Sequence, residues 1–291
     1  MLSILIPTYN YNAFTLVQEL HQQLLRSTVL FEIICIDDGS KSELNKSNQE
    51  INLLSHSSFI VLNENIGRSA IRNYLSKKAK YNWLLFLDAD VKPVGNDLIY
   101  NYLSAIHHSG NIFCGGIKYL ESDENKKLLR YKYGINYEEI KIEKRKEQPY
   151  KFFFTSNFLI SKDIFKTIQF EEKLKKYGRE DLLFSLNLKN KKHNVVHLEN
   201  EVYHLGIDDD ATFVSKTKQA MENIAFLEQE NLVSSKEGNL LKSVNYLKSF
   251  DVSKTIGKLT PYFERITIKK ASLFYLNCLK VSYLCYLKSE R

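Results

Sequence analysis

The chain has 291 residues, 44% of them apolar and 26% charged, and a formal net charge of +7. This composition is ordinary for globular proteins and excludes a disordered or fibrous chain, while the length suits one large domain with an extension or two small ones. The cysteines lack zinc or disulfide spacings, the N-terminus lacks a signal-peptide pattern, and no apolar run reaches the roughly 18 residues of a spanning helix, so we expect a cytoplasmic protein.

Short apolar runs alternate with amphipathic segments in the first part of the chain. Runs rich in Ile, Leu, Val and Phe and bounded by Gly, Pro, Asn or Asp predict buried strands. These runs are residues 2–6, 32–36, 59–62, 83–87 and 112–117. Helical periodicity predicts helices at residues 13–25 and 68–80. The alternation predicts an α/β fold with a mainly parallel sheet flanked by helices, whose ligands bind at the carboxyl ends of the strands.

The region that follows carries weaker patterns. Residues 122–148 are dense in charge and lack a clear period, so we expect a loop or a flexible arm over the sheet edge. Residues 152–160 resume the character of a strand, and residues 181–191 have that of a helix. A further strand is predicted at residues 194–198.

We expect the α/β domain to span residues 1–207 and a helical extension to span residues 208–291. Asp208-Asp209-Asp210 suits a helix N-terminus, because carboxylates stabilise the positive end of the helix dipole. Residues 234–254 predict a linker with a short helix. The sequence Thr260-Pro261 is a good start for a further helix.

The basic charge is concentrated in that last helix, which we expect to run to Lys288. Residues 254–291 hold eight basic and two acidic side chains, which accounts for most of the net charge. On one continuous helix the basic residues would form a stripe beside a broad apolar face, a pattern typical of helices in a membrane interface. We therefore expect a peripheral membrane contact through residues 255–291, with packing onto the α/β domain or onto a second copy of the chain, as a homo-oligomer, as the alternative.

Polar clusters follow the predicted strands at the edge where ligands bind. Asp88-Ala89-Asp90 can present carboxylate oxygens to one Mg²⁺ or Mn²⁺ ion, although acidic residues are also common in plain turns. Asp37-Asp38-Gly39-Ser40 ends a neighbouring strand and faces the same crevice. A glycine loop followed by a helix start with Arg68 and Arg72 suits a diphosphate, unless the arginines are solvated on the helix surface.

In this order and spacing, the motifs resemble those of the family-2 glycosyltransferases with the GT-A fold. They are Ile6-Pro7-Thr8-Tyr9-Asn10, Asp37-Asp38-Gly39-Ser40, Asn65-x-Gly67-x-x-x-x-Arg72-Asn73, Asp88-x-Asp90 and Gly178-Arg179-Glu180-Asp181. The resemblance covers about residues 1–206. It implies an inverting enzyme that uses a nucleotide-sugar donor, in the first instance a UDP-sugar, and a Mn²⁺ or Mg²⁺ ion. The implied acceptor is a saccharide or a lipid-linked saccharide, as in polysaccharide synthesis for the cell envelope.

The resemblance implies a donor pocket at the ends of the first two strands. Pro7, Tyr9 and Asp38 would line the nucleobase and ribose pocket, with the ring of Tyr9 offering an aromatic face. Asp38 would accept the imide N–H of a uracil. Asn65 and Arg68 would lie near the diphosphate.

The resemblance also implies a metal site and a catalytic base. Asp90 would bind the metal directly, with Asp88 on the ribose or on a metal-bound water, and His204 would add a neutral imidazole as a ligand. Asp181 would be the general base that takes the proton of the acceptor hydroxyl, while Glu180 would hydrogen-bond acceptor hydroxyls. Alternatively, both acids only complement the dipole of the helix that they start.

Two further kinds of residue have open or plain interpretations. Asn157 either lies near the donor sugar or is a turn residue at a strand end. The histidines other than His204, including His107, His108 and His193, lack a chemical context and are expected at the surface.

Other functions fit parts of the pattern. A dehydrogenase on a similar sheet needs a G-x-G-x-x-G loop, which the chain lacks. A sugar-phosphate nucleotidyltransferase needs a Gly-rich, Arg-containing loop after the first strand, where this chain has Pro7-Thr8-Tyr9-Asn10. A catalytically degenerate scaffold or sugar-binding subunit would have no reason to keep Asp38, Asp90 and Asp181. Nucleic-acid binding is not expected, because the Leu, Phe and Tyr content of the basic tail fits a lipid surface better.

Overall fold

The computed structural model describes residues 1–107, 110–234, 238–250 and 252–289. The chain forms two compact units. The first unit comprises Met1–Leu120, Ile135–Lys175 and Glu180–Gly206, and the second comprises Glu121–Gly134, Lys176–Arg179 and Ile207–Arg291. The last division, after residue 206, lies next to the expected boundary, whereas residues 121–134 and 176–179 were expected in the first unit and belong to the second.

Within the described residues, the strands of the first unit form a seven-stranded and a three-stranded sheet. They are β1 (Leu2–Thr8), β2 (Phe31–Asp37), β3 (Ser57–Val61), β4 (Trp83–Leu87), β5 (Val91–Pro93), β6 (Ile112–Cys114), β7 (Ile117–Tyr119), β8 (Asn157–Ser161), β9 (Val196–His197) and β10 (Val202–His204). The large sheet has the order β3-β2-β1-β4-β8-β6-β9, and only β8 runs antiparallel to its neighbours in it. The predicted mainly parallel sheet is therefore confirmed.

Helices follow the strands along the chain. They are α1 (Phe14–Leu25), α2 (Asn45–Asn48), α3 (Arg68–Lys78), α4 (Leu98–Ile106), α5 (Leu129–Tyr137), α6 (Ile142–Glu147), α7 (Lys162–Thr167), α8 (Glu180–Asn190), α9 (Asp210–Gln229), α10 (Asn239–Ser249), α11 (Ser253–Gly257), α12 (Thr260–Lys270) and α13 (Leu273–Ser289). Short 3₁₀ turns occupy Gln49–Leu53 and Asn125–Lys127. The predicted acidic start of α9 is present, because Asp209 accepts a hydrogen bond from the Thr212 amide and caps the helix.

Two apolar clusters cover the two faces of the large sheet. Successive side chains of a strand point to opposite faces, and accordingly Ile4 and Ile6 of β1 join the cluster with α1 and α4, whereas Leu5 joins the one with α3, α7 and α8. Each such fully buried aliphatic side chain stabilises the fold by about 1.5–3 kcal/mol. Helices on both faces leave the carboxyl ends of the strands as the place for a ligand site.

The predicted loop at residues 122–148 is wrong, because α5 and α6 lie within it. The helices are anchored by buried apolar side chains, among them Leu129 and Ile142, which are few among the many charged residues of this segment. Arg145 is 1% exposed and donates to the Glu201 carboxylate over 2.7 Å. A buried, paired arginine looks like surface charge in a sequence, so no period was visible.

Two predicted strands are also shorter than expected. The strand predicted at residues 112–117 breaks into β6 and β7 at Gly115 and Gly116, because Gly116 adopts a φ of +90° and Gly115 packs against Asn157 and Asn200. A Cβ on Gly115 would lie 2.2 Å from the Asn200 carbonyl oxygen. The strand predicted at residues 152–160 is β8 alone, since Phe152 and Phe153 are buried ahead of it outside the ladder.

The single long helix predicted from residue 260 to residue 288 is wrong. It is two helices, α12 and α13, because Ala271 adopts a left-handed conformation with φ 44° and ψ 51°. Leu276 and Leu279 of α13 pack with Phe213 and Val214 of α9 in the second unit. The basic stripe and the free apolar face needed one continuous helix, so the membrane-interface prediction loses its geometric basis.

Parts of some predictions fall outside the described residues. These are His108, residues 235–237 and 251 of the predicted linker, and Arg291 of the basic tail. Where the linker is described, it is mostly helix α10. Within the described ranges, no helix is both long enough and apolar enough to cross a lipid bilayer.

Candidate active site

Asp38 organises the loops at the carboxyl ends of β1 and β2. Its amide donates to the Thr8 carbonyl over 2.9 Å, which joins the loop to the end of β1. Its carboxylate accepts from the Ile66 and Gly67 amides at 2.8 and 3.0 Å, just before α3. Burial raises the pKa of Asp38, and these two amides oppose that rise by stabilising the charged form. The observed role of the carboxylate is thus to hold the start of α3.

Glycine is required where these loops meet. Gly39 has a φ of +69°, and a Cβ added there would lie 2.3 Å from the carbonyl carbon of Glu64. Gly67 precedes α3 with a φ of +94°. A side chain is therefore excluded by the Glu64 backbone at Gly39, whereas at Gly67 it is disfavoured by the left-handed backbone conformation.

The other predicted donor residues lie at this end of the sheet with free surface. Tyr9 is 57% exposed, and the Arg68 side chain is 48% exposed at the first position of α3. Asn65 is exposed, and Pro7, the second-last residue of β1, is half-buried. Their side chains are therefore accessible to a ligand, and their assignment to a donor stays a prediction.

Arg72 joins two of the predicted motifs. Its side chain is 2% exposed, so it is not a solvated residue on the helix surface. Its Nη2 atom lies 2.6 Å from Asp88 Oδ1, its Nη1 atom lies 3.6 Å from Glu180 Oε1, and its guanidinium covers the Phe170 ring at 5.6 Å. One buried cation thus brings the Asp88-Ala89-Asp90 turn and the Glu180-Asp181 helix start together.

Asp88 is ionised in this arrangement. Burial by itself would raise the pKa of Asp88, but the positive charges of Arg72 and Arg68 outweigh it and lower the pKa. The side chain of Asp88 remains 20% exposed towards the crevice. The sequence leaves the role of Arg72 open. Its apolar neighbours on α3, Ile71 and Leu75, are the available signal that this side of the helix is buried.

The Glu180-Asp181 pair divides into a buried and an accessible carboxylate. The Glu180 side chain is 7% exposed and faces both Arg72 and Arg68, the latter at 3.8 Å. The carboxylate is turned to two cations of its own unit, and its predicted contact with acceptor hydroxyls stays a prediction. Asp181 is half-buried in the first turn of α8, and its carboxylate accepts from the Leu182 amide over 2.7 Å.

The three-stranded sheet β5-β10-β7 places His204 beside Asp90. In its ladder His204 pairs with Val91, the residue after Asp90, and the Leu205 amide donates to the Asp90 carbonyl over 2.8 Å. The His204 Nε2 atom lies 3.6 Å from Asp90 Oδ2. A Cβ on Gly206 would lie 2.1 Å from that same oxygen, so glycine leaves room for the carboxylate.

This pair fits a divalent cation. A carboxylate oxygen and a neutral imidazole nitrogen are ordinary ligands of Mn²⁺, and ions of this kind complete their shell with phosphate oxygens and water. The remaining ring nitrogen of His204, Nδ1, is buried and has no hydrogen-bond partner within the described part of the chain. Among the described residues, no group of three or more His, Cys, Asp and Glu side chains could hold a metal by protein ligands alone.

Some predicted residues lie outside the site. The Asn157 amide donates to the Gly116 and Asn200 carbonyls at 3.1 and 2.9 Å, and its oxygen accepts from the Tyr102 hydroxyl over 2.7 Å. Asn157 therefore links strands and is neither a turn residue nor turned to a ligand. The expected surface position is wrong for His21 and His197, which are 7% and 2% exposed.

Comparisons with known proteins identify the family of the chain. The chain matches the model of the glycosyl transferase family 2 over residues 3–169, more than half of its length, and so belongs to that family. Chondroitin synthase from Escherichia coli is 29% identical over 224 residues, which cover 64% of this chain and 32% of that protein. The chain thus spans about a third of the length of this curated relative.

Solved structures place the chain in the GT-A fold. The TarS 1–349 complex with UDP from S. aureus superposes with a TM-score of 0.50 at 17% identity, covering 99% of this chain and 91% of that one. The mannosyltransferase PcManGT from Pyrobaculum calidifontis, in complex with GDP-Man and Mn²⁺, gives a TM-score of 0.57 at 11% identity over 97% and 86% of the two chains. At these identities the likeness concerns the fold.

Proposed function

We propose that the protein transfers a sugar from a nucleotide-sugar donor, in the first instance a UDP-sugar, to a saccharide hydroxyl with inversion at the anomeric carbon and with the help of Mn²⁺ or Mg²⁺. The observation that carries this proposal is the Arg72 contact with Asp88 at 2.6 Å and Glu180 at 3.6 Å. It brings a strand-end turn suited to a metal and a donor next to a carboxylate pair suited to a base.

The donor would bind over the loops that Asp38 ties together. Pro7 and Tyr9 would line the nucleobase and ribose, while Asn65 and Arg68 would contact the diphosphate at the α3 N-terminus, where backbone amides and the helix dipole favour anions. Asp38 would contribute by holding the loop and would accept the uracil imide N–H on a remaining lone pair.

Asp90 and His204 would hold the metal, with Asp88 on the ribose or on a metal-bound water. When bound, the cation neutralises charge on the leaving diphosphate. The exposed guanidinium of Arg68 would add a second positive charge there. A leaving group clamped in this way needs no acid from the protein, so the catalytic side chain is required on the acceptor only.

Asp181 would act as that general base. The acceptor oxygen attacks the anomeric carbon opposite the diphosphate, a new C–O bond forms as the C–O bond to the phosphate breaks, and the hydroxyl proton passes to the Asp181 carboxylate. A single displacement inverts the anomeric centre. Glu180, buried beside Arg68 and Arg72, would keep both guanidinium groups oriented. The acceptor, free or lipid-linked, would approach on the side of Asp181.

A panel of UDP- and GDP-sugars with Mn²⁺, read by nucleotide release, tests this function. Release from one donor, raised by saccharide acceptors and absent in Asp181→Asn, is the expected result. Binding of a nucleotide sugar without release would favour a sugar-binding or scaffold subunit. Formation of pyrophosphate from a sugar phosphate and a nucleoside triphosphate would favour a nucleotidyltransferase.

A further inference from the structure

The metal side of the site contains an aromatic residue that no motif accounts for. Tyr119 ends β7 and pairs with His204 of β10 in the three-stranded sheet. Its ring stacks on the His204 ring, with 5.7 Å between the centroids and 28° between the planes. Tyr119 is 6% exposed, so the contact is buried.

Tyr119 is itself held by the segment between α5 and α6. Its hydroxyl donates to the Glu138 carboxylate, and its backbone amide donates to Glu139 Oε2 over 3.0 Å. Both acids belong to the region whose sequence predicts a loop. The ring is therefore fixed at its tip and at its backbone.

The same region also holds the strand that carries His204. Arg145 of α6 donates to the Leu198 carbonyl over 3.1 Å and to the Glu201 carboxylate over 2.7 Å, directly before β10. Its guanidinium packs on Gly116, where a Cβ would lie 2.7 Å away, directly before β7. Residues 138–145 thus brace both strands that flank the Tyr119–His204 stack.

The imidazole of His204 depends on this stack for its orientation. A metal-binding histidine is usually oriented by a hydrogen bond from its second ring nitrogen, but Nδ1 of His204 is buried and has no hydrogen-bond partner among the described residues. The aromatic face of Tyr119 contacts the imidazole instead, at the distance typical of stacked rings.

We propose that Tyr119 is a positioning residue whose stacked ring aims His204 Nε2 at the cation. This inference rests on the proposed function, in which His204 binds the metal. Under this inference, residues 138–145 contribute to metal affinity, because they brace the strands that carry Tyr119 and His204.

Mn²⁺ binding in the presence of UDP, measured by EPR of the free ion without any turnover, tests the inference. Tyr119→Leu removes the ring and should lower Mn²⁺ affinity about tenfold, the usual effect of losing an orienting neighbour. Tyr119→Phe keeps the ring and should remain within about threefold of the wild type. In pulsed EPR the nitrogen coupling of a coordinated imidazole should persist in the Phe variant and weaken in the Leu variant.

Tyr203→Leu is the matched control, because Tyr203 neighbours His204 on β10 and the strand alternation turns it to the other face. It should leave Mn²⁺ affinity unchanged, and thermal unfolding would check that all variants are folded. Equal losses in Tyr119→Leu and Tyr203→Leu, or in Tyr119→Leu and Tyr119→Phe, would overturn the stacking role.

His204→Ala separates this inference from the function on which it rests. If it leaves Mn²⁺ affinity unchanged, the assignment of the metal to His204 is wrong. If it lowers the affinity while Tyr119→Leu matches the wild type, His204 binds the metal and only the positioning role of Tyr119 is wrong.

Discussion

The proposed donor side and the proposed metal side of the site are built from strands of very different length. β1 and β2, which carry the loops proposed to bind the donor, have seven residues each, whereas β5, β7 and β10 have three each. The long strands are buried between helices on both faces, so their ends are held by the core. The short strands gain little from their own ladders, and side chains such as Arg145 and Tyr119 hold them in place.

The loops after β1 and β2 therefore depend on the sheet for their positions, whereas the other side of the site depends on individual side chains. On the donor side, backbone amides and glycines form the contacts, as between Asp38 and the start of α3. On the metal side and at Glu180-Asp181, single buried cations join distant segments. Substitutions should therefore be more damaging on the second side, in function and in stability.

Loss of the cation should have the largest effect on activity. Asp90→Ala removes the carboxylate proposed to bind the metal, so nucleotide release should fall to the uncatalysed level and UDP binding in Mn²⁺ should weaken with it. EDTA should have the same effect on the wild type, and excess Mn²⁺ should reverse it. Asp97→Ala, an exposed acid nearby in the sequence, serves as control and should change neither. Full activity in EDTA would exclude the metal.

Removal of the Arg72 charge should have the largest effect on stability. Arg72→Met keeps a long buried side chain but removes the cation that contacts Asp88 and leaves Glu180 with Arg68 alone, a loss of about 3–5 kcal/mol in the free energy of unfolding. Urea unfolding measures it. Arg68→Met is the control on the same helix, since its side chain is 48% exposed and should cost less than about 1 kcal/mol. Similar losses in the two variants would contradict the conclusion that Arg72 stabilises the protein by joining Asp88 to Glu180.

Asp181→Asn tests the proposed general base. It keeps the shape but cannot accept a proton, so the rate of transfer should fall at least about 10²-fold while UDP affinity stays within about twofold. Asp163→Asn is a matched control, because Asp163 is also a first-turn acid, of α7. If Asp181 only complements the helix dipole, both variants will keep their rates and lose only a few tenths of a kcal/mol to about 1 kcal/mol of stability.

The smallest expected effect is a pH dependence from His197. Its Nε2–H donates to the Pro149 carbonyl over 2.9 Å, and its buried Nδ1 has no hydrogen-bond partner in the ranges that the structure describes. Burial lowers the pKa of His197 to about 4. Because the unfolded chain takes up the proton below about pH 6.5 and the folded one only near 4, stability should fall between these values, by about 2 kcal/mol from pH 7 to pH 5.

Urea unfolding at the two pH values measures this loss. His197→Gln keeps a side-chain N–H for the Pro149 carbonyl but has no group that titrates in this range, so it should lose less stability on acidification. A loss of the same size in the wild type and in the variant would assign the effect to other groups.

The strands and the order of the motifs could be predicted because their signals are local. A buried parallel strand is a run of apolar residues, and the loops after β1, β2 and β4 follow such runs directly. Asp38, Asp90 and Asp181 are therefore predicted as site residues from the sequence, whereas their hydrogen-bond and charge partners are not. The break at Gly115-Gly116 was not predicted. The helices in residues 129–147 were not predicted either, because buried Arg145 resembles surface charge in a sequence.

The family and the mainly parallel sheet followed from the sequence alone, since apolar runs and turn residues act within a few positions of one another. The contacts of Arg72 with Asp88 and Glu180, the stacking of Tyr119 on His204 and the break of the last predicted helix at Ala271 are visible only in the tertiary structure. The physical reason is that these outcomes depend on burial and on partners far along the chain. A buried charge or a stacked ring has no period of its own in the sequence.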